Sequence, residues 1–348
     1  MGDVLHAMPA VAALRERHPD WFIGWAIEPG WSELLQAKGE VDGVASRSPG
    51  RDAHRPLVDL LIPVPTRDWK GRPFSLHTLR NITGLQRELR GDHYDLCVDM
   101  QGSIRSSVIG RMAGATVFAG AAEPRERPAA RLYKQKVRLS ATHVVEQGCE
   151  LLGASVGETL QPAKVTLPVD LVAEHWCDAL LGGVREKFAF LAPTAGWGAK
   201  QWPAERYGAV AKTLARAGFR TLVNAVSMED GIGGRIVETS DGAATLVPCS
   251  LGQMIALVRR AGVVIAGDTG PLHLAAALER PVVGLFGPTE PARNGPYGTV
   301  ARVLRHASSK NDHSRHQETE HGLMQITTGE VIQAALELLR AGQDKVEL

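Results

Sequence analysis

The chemistry of this chain is concentrated in a few short runs. Gly267-Asp268-Thr269-Gly270-Pro271-Leu272-His273 lies between two apolar stretches, 263–266 and 281–287. A flexible Gly270 and Pro271 at the favoured first position predict a helix start whose leading N–H groups have no partner inside the helix. Such an end binds an anion through those groups and the helix dipole, and a diphosphate is the common biological anion of that size. Asp268 has two compatible readings: an N-cap of the helix, or part of a turn that presents Thr269 and Gly270 to a ligand. His273, on an apolar helix face, reads on its own as a core histidine.

A second loop, Thr194-Ala195-Gly196-Trp197-Gly198-Ala199-Lys200-Gln201-Trp202-Pro203, follows the apolar run 188–193. Its small residues let the backbone approach a ligand, and Lys200 supplies a point charge for a phosphate. It is neither a Walker A loop nor a dinucleotide fingerprint, which disfavours a dehydrogenase. At the chain start, Gly2-Asp3 places a carboxylate at a helix N-terminus, by itself only a favourable terminal charge. Two basic clusters stand out: Arg67, Lys70 and Arg72 around Trp69, and Arg125, Arg127, Arg131, Lys134, Lys136 and Arg138 against the single acid Glu126. Both suit solvated faces, and both suit an acidic acceptor. The lack of stacking aromatics along them weighs against single-stranded nucleic acid. There is no D-x-D and no His/Cys cluster at metal-ligand spacing. No metal or cofactor is therefore expected, and Lys200 with the helix end is left to stabilise a departing diphosphate.

These residues need a scaffold. The chain has 348 residues, enough for two domains of about 150–180 residues. It is 44% hydrophobic and 22% charged, with a net charge of +1, which excludes a general polyanion binder. Four dispersed cysteines predict reduced thiols in the cytoplasm. No uninterrupted apolar run reaches membrane-spanning length, and no signal peptide is legible. Apolar runs alternate with helical patterns throughout, which predicts an α/β fold of two doubly wound parallel sheets. The domains are expected at 1–160 and 161–348, joined by a linker over 153–170. Helices are expected at 5–17, 31–37, 76–90, 103–113 and 142–152, then at 172–181, 204–217, 230–239, 251–261 and 329–339, the last capped by Thr328. Ligands of such sheets bind outside the carboxyl ends of the strands, so a cleft between the domains is the expected site.

Taken together, Gly2-Asp3-Val4-Leu5-His6, Asp99-Met100-Gln101-Gly102, Gly198-Ala199-Lys200-Gln201-Trp202-Pro203, Asp268-Thr269-Gly270-Pro271-Leu272-His273 and Phe286-Gly287-Pro288-Thr289 resemble the bacterial ADP-heptose:lipopolysaccharide heptosyltransferases. The likeness covers essentially the whole chain, and Asp99–Gly102 with Arg125-Glu126 and Leu132-Tyr133 look most like the heptosyltransferase I type. It implies a GT-B fold, two Rossmann-like domains facing a cleft, and inverting transfer of heptose from ADP-heptose to the Kdo of a lipid A acceptor. It also implies a peripheral enzyme at the inner face of the cytoplasmic membrane.

The resemblance casts Asp3 as general base and Lys200 as the counter-charge to the leaving diphosphate. Thr194, Gly196, Asp268, Thr269, Gly270 and His273 match donor-binding positions, with Glu229 or Asp230 on the ribose. Arg67, Lys70, Arg72, Gln101 and Arg125 match acceptor-binding positions. Relatives carry a further central strand and a Ser-rich turn before the Gly-Asp, so the first strand of the N-terminal domain is expected to be missing here. Asn224-Ala225-Val226-Ser227 replaces a glycine-bearing turn, and the His306–His321 loop, without the cysteines of many relatives, has no assigned role. Transfer from another nucleotide-sugar, or binding without turnover, are the alternatives.

Overall fold

The computed structural model describes residues 1–38, 51–71, 75–182, 187–312, 314 and 316–341. The chain divides into two compact units, Asp3–Pro168 and the remainder from Val169 on.

The first unit holds strands β1 (Gly24–Ile27) and β2 (Leu60–Pro63), then β3 (Leu96–Asp99), β4 (Val117–Ala121) and β5 (Gln135–Val137). All pairings are parallel, but they form two separate sheets, β1-β2 and β3-β4-β5. Among the described residues no ladder joins β1 to β3. The helix Gly2–Arg17 buries Leu5, Ala7, Met8, Ala10, Val11 and Leu14.

The second unit is one parallel sheet of six strands: β6 (Phe188–Ala192), β7 (Arg220–Ala225), β8 (Ala244–Pro248), β9 (Val263–Gly267), β10 (Val282–Phe286) and β11 (Ala301–Arg305). Their order is β11-β10-β9-β6-β7-β8. The central strands β6, β9 and β10 are continuously apolar and buried at every position, as a parallel sheet covered on both faces requires. The helix Ala204–Arg216 turns Tyr207, Val210, Ala211 and Leu214 inward at helical spacing. The helix Thr328–Ala341 adds Val331, Ala334, Ala335, Leu338 and Leu339 to the same core. None of the described helices is long and apolar enough to cross a membrane.

Several local expectations are corrected. The stretch 31–37 is not an α-helix; Pro29–Leu34 forms a 3-10 turn instead. Residues 153–156 are not linker but the end of the helix Val144–Val156. The rest of 157–168 is tied to the first unit: Leu160, Val165 and Leu167 are buried, and the Ala163 N–H donates to the Pro9 carbonyl at 3.2 Å. The final helix is capped by Thr327 rather than Thr328, since the Glu330 N–H reaches the Thr327 hydroxyl at 3.3 Å and the Glu330 carboxylate accepts the Thr327 N–H at 2.8 Å. Strands β5 and β11 escaped prediction because each is a sheet edge with outward charges, Lys136 in one and Arg302 in the other.

Candidate active site

In the second unit the ligand-type loops all leave the carboxyl ends of neighbouring strands. The 193–203 loop follows β6, 226–230 follows β7 and 268–269 follows β9, and these three strands are adjacent in the sheet. This is the edge where open α/β sheets bind ligands.

Lys200, Asp268 and His273 come together there. The Lys200 ammonium donates to Asp268 Oδ2 at 2.6 Å and to the Asp268 carbonyl at 3.3 Å. The ring of His273 bonds through Nε2 to Asp268 Oδ1 at 3.1 Å. Burial opposes ionisation of Asp268, but His273 and the Lys200 ammonium outweigh it and hold the carboxyl well below the usual range. The Trp197 ring lies 5.2 Å from the Lys200 nitrogen and adds a cation–π contact. An ammonium has three donors, and two are committed to Asp268, which leaves the third for an incoming anion.

Asp268 therefore does not cap the helix Gly270–Ala277. The N-cap is Thr269, whose side chain makes no cap bond, and Pro271 lies in the first turn. The helix start keeps its positive end uncapped by a side chain, next to Lys200. His273 is buried as the composition of its helix suggests, yet its partner is the carboxylate that orients Lys200.

Thr194 is half-buried and Gly196 is exposed with open space where a side chain would stand. Of the two acids offered for the ribose, Asp230 is occupied. Its Oδ1 accepts the Ile232 and Gly233 N–H groups, both at 3.0 Å, as cap of the helix Gly231–Thr239. Glu229 is exposed beside it.

One participant was not foreseen. The segment 316–320 packs on the Lys200 turn. The Ala199 N–H donates to the His316 carbonyl at 3.0 Å, the Glu320 N–H to the Ala199 carbonyl at 3.2 Å, and the Thr319 hydroxyl to the Gln201 carbonyl at 2.8 Å. A side chain at Gly198 would stand 1.6 Å from the Gln317 carbonyl oxygen, so only glycine admits this contact. The polar composition of the loop hid the role, since two of these three bonds run between backbone groups.

In the first unit Asp3 meets two of its expected neighbours. Gln101 Nε2 donates to Asp3 Oδ2 at 2.9 Å, and an Arg125 guanidinium nitrogen lies 3.7 Å from the same oxygen. The Asp3 side chain remains 56% exposed, open to a substrate. Buried Asp99 builds this corner. Its Oδ1 accepts the Gln101 and Gly102 N–H groups, both at 3.0 Å, and its Oδ2 accepts the Ser106 and Tyr133 hydroxyls at 3.0 and 2.8 Å. Gly102 sits at φ +67°, where a side chain is strained, and its carbonyl accepts the Glu126 N–H next to Arg125. Arg67 is exposed and its guanidinium lies 5.5 Å from the Trp31 ring. Arg105, not singled out from the sequence, donates to the Thr66 hydroxyl at 2.9 Å beside it. Arg72 and the side chain of Lys70 lie outside the described residues.

Comparison with known proteins gives the family and the fold. A glycosyltransferase family 9 (heptosyltransferase) profile matches residues 82–324. A curated relative, lipopolysaccharide heptosyltransferase 1 of Pseudomonas aeruginosa, is 30% identical over 304 residues, 86% of this chain and 79% of the relative. The solved structure of E. coli heptosyltransferase WaaC with ADP superposes with a TM-score of 0.75 at 26% identity, covering 97% of both chains. The same E. coli enzyme with ADP-2-deoxy-2-fluoro heptose gives 0.73 at 26% identity, covering 97% of this chain and 96% of the other. The parallel sheets and the two Rossmann-like units are those of the GT-B fold, and the chain belongs to glycosyltransferase family 9, the heptosyltransferases.

Proposed function

We propose that this chain transfers a heptose from ADP-heptose to the Kdo of a lipid A-linked inner core, with inversion. The observation that carries the reading is the Lys200–Asp268–His273 cluster at the uncapped helix start, a pre-oriented cation beside a helix dipole. The solved relatives hold ADP and a fluorinated ADP-heptose, which supports the same donor class here.

In the proposed reaction the acceptor hydroxyl oxygen attacks the anomeric carbon and its proton passes to an Asp3 carboxylate oxygen. The bond from the anomeric carbon to the diphosphate oxygen breaks, and ADP leaves with the electron pair. Lys200 and the helix start at Gly270 counter the charge that develops on the diphosphate. Gln101 and Arg125 hold Asp3 in place. Arg67 and Arg125, with Lys70 and Arg72, meet the acidic acceptor, and Glu229 is the carboxylate open to the ribose. Thr194 and Gly196 line the donor loop. No metal or cofactor enters this scheme, and the enzyme works at the inner face of the cytoplasmic membrane.

The test is direct. Purified protein incubated with ADP-heptose and Kdo-lipid A should release ADP and add one heptose mass to the lipid. Absence of the heptosylated lipid, with the protein folded and ADP bound, would overturn the acceptor and the reaction together.

A further inference from the structure

Lys200 ends the 3-10 turn Gly198–Lys200. The turn closes on itself through the Lys200 N–H to the Trp197 carbonyl at 3.2 Å and the Gln201 N–H to the Gly198 carbonyl at 2.8 Å. A single 3-10 turn fixes little by itself, so its position depends on what grips it from outside. On one side lies β9, where a side chain at Gly267 would stand 3.0 Å from the Lys200 carbonyl oxygen. On the other lies 316–320, which runs into the short helix His321–Gln325. The far end of that helix is fastened to the residues after Lys200. The Trp202 indole N–H donates to the Ile326 carbonyl at 3.1 Å, and Arg206 donates to the Met324 and Ile326 carbonyls at 2.6 and 2.8 Å. At the near end stands Glu320. Its N–H reaches the Ala199 carbonyl. Its Oε2 accepts the Leu323 N–H at 2.8 Å, capping the helix, and the hydroxyl of buried Ser309 at 3.1 Å, while Oε1 accepts the Lys310 N–H at 3.4 Å. The packing is tight around it: a side chain at Gly322 would collide with Ser309, and one at Gly287, just past β10, would stand 3.0 Å from Glu320 Oε2.

We propose that Glu320 is a positioning residue for Lys200: its carboxylate fixes the start of the helix His321–Gln325, and its backbone N–H then seats the Ala199–Lys200 peptide so that the ammonium faces the donor diphosphate. The inference rests on the reading of Lys200 as the counter-charge to that diphosphate. A lysine ammonium rides on a flexible four-carbon stem, so its worth as a preorganised donor depends on where its backbone is held. A displacement of about 1 Å caused by a residue outside the chemistry can cost about 10²-fold in rate. Burial opposes the Glu320 charge, but the Leu323 and Gly322 N–H groups, the Ser309 hydroxyl and the Lys310 N–H outweigh it and hold the carboxyl below its ordinary value. Three of these donors meet the carboxylate within hydrogen-bond distance. An amide in its place keeps an oxygen for Leu323 and Ser309 but turns its own N–H groups towards the Lys310 N–H. Glutamine is therefore the conservative replacement and alanine the complete one.

Two measurements on the full chain test this. Without ligand, hydrogen exchange followed by mass spectrometry should show the 198–201 amides exchanging about tenfold or more faster in Glu320→Ala, and near the wild-type rate in Glu320→Gln. With ADP, calorimetric titration should show binding weakened by about tenfold in Glu320→Ala, but by about twofold or less when the same change is made beside Lys200→Ala, as expected of two residues that act through one contact. Glu320→Gln should restore most of the affinity. Unchanged exchange in Glu320→Ala, an equal loss of ADP affinity with and without Lys200, or no rescue by glutamine would overturn the role. Ser309→Ala, which removes one of the carboxylate's donors, should move exchange and affinity the same way by less, and it decides the matter if Glu320→Ala does not fold. A wild-type chain that binds no ADP would overturn the donor reading, and the exchange rates alone would then decide whether Glu320 seats the turn.

Discussion

Lys200 is the residue on which the donor half turns. Replacing it with Ala removes the oriented cation from the leaving group, and the expected loss in kcat is about 10²–10³-fold, the range for a single preorganised stabilising donor. Steady-state kinetics together with ADP titration checks this, and unchanged kcat would remove Lys200 from the reaction. Asp268 gives a pH signature. Its carboxyl is depressed from an ordinary value of 3.8, so the stability it contributes is fully present above about pH 4 and is lost only as pH falls through its much lower folded value. Thermal melts should therefore show that the increment removed by Asp268→Asn shrinks as pH falls below about 4. An increment that does not change as the pH is taken below about 4 would sink the assignment. At Asp3 the prediction is a separation of effects. Asp3→Asn should lower kcat by about 10²–10⁴-fold, the usual contribution of a general base, with ADP affinity and Tm unchanged because the side chain is largely exposed. A fall in Tm with kcat retained would mean a structural role instead.

At the scale of elements, the decisive contact is between the Lys200 turn and the 316–320 segment. Gly198→Ala would press a methyl onto the Gln317 carbonyl, 1.6 Å away, and must push the segment off the turn. We expect a destabilisation of about 2–3 kcal/mol, in the range of overpacked sites, together with weaker ADP binding. Chemical denaturation and calorimetric titration would measure both, and a neutral Gly198→Ala would show that the segment is held elsewhere. The helices and central strands of the second unit were legible because their residues answer to local rules. Phe188–Ala192 is apolar throughout, and Tyr207, Val210, Ala211 and Leu214 repeat at helical spacing. The edge strands β5 and β11 were not, because an edge strand is defined by its neighbour and carries charges a loop would also carry. The clasp of 316–320 was hidden because two of its three bonds join backbone groups, which are present in every residue and leave no mark in the sequence.

For the whole molecule, the contrast between the units predicts unequal stability. One sheet is continuous and buried along its central strands, and the other is split in two around a cavity. Calorimetry should resolve two transitions, the lower belonging to residues 1–168, and ADP should raise the upper one alone. Ligand at about 100 times its Kd adds about 2.7 kcal/mol to the unit that binds it. A single transition, or a shift of the lower one, would overturn that division.

The sequence by itself determined the α/β class, the alternation of elements, and the runs that bear chemistry, since hydrophobic period, glycine and proline act over a few residues. It also placed Asp3, Lys200, Asp268 and His273 among the candidates. Only the tertiary structure decided what those side chains do to one another. Asp268 is a partner of Lys200 and His273 rather than a helix cap, Asp230 is a cap, and Asp99 builds the turn behind Asp3. A carboxylate has the same formula in each role, and the choice is made by which N–H or ammonium the fold brings within 3 Å of it.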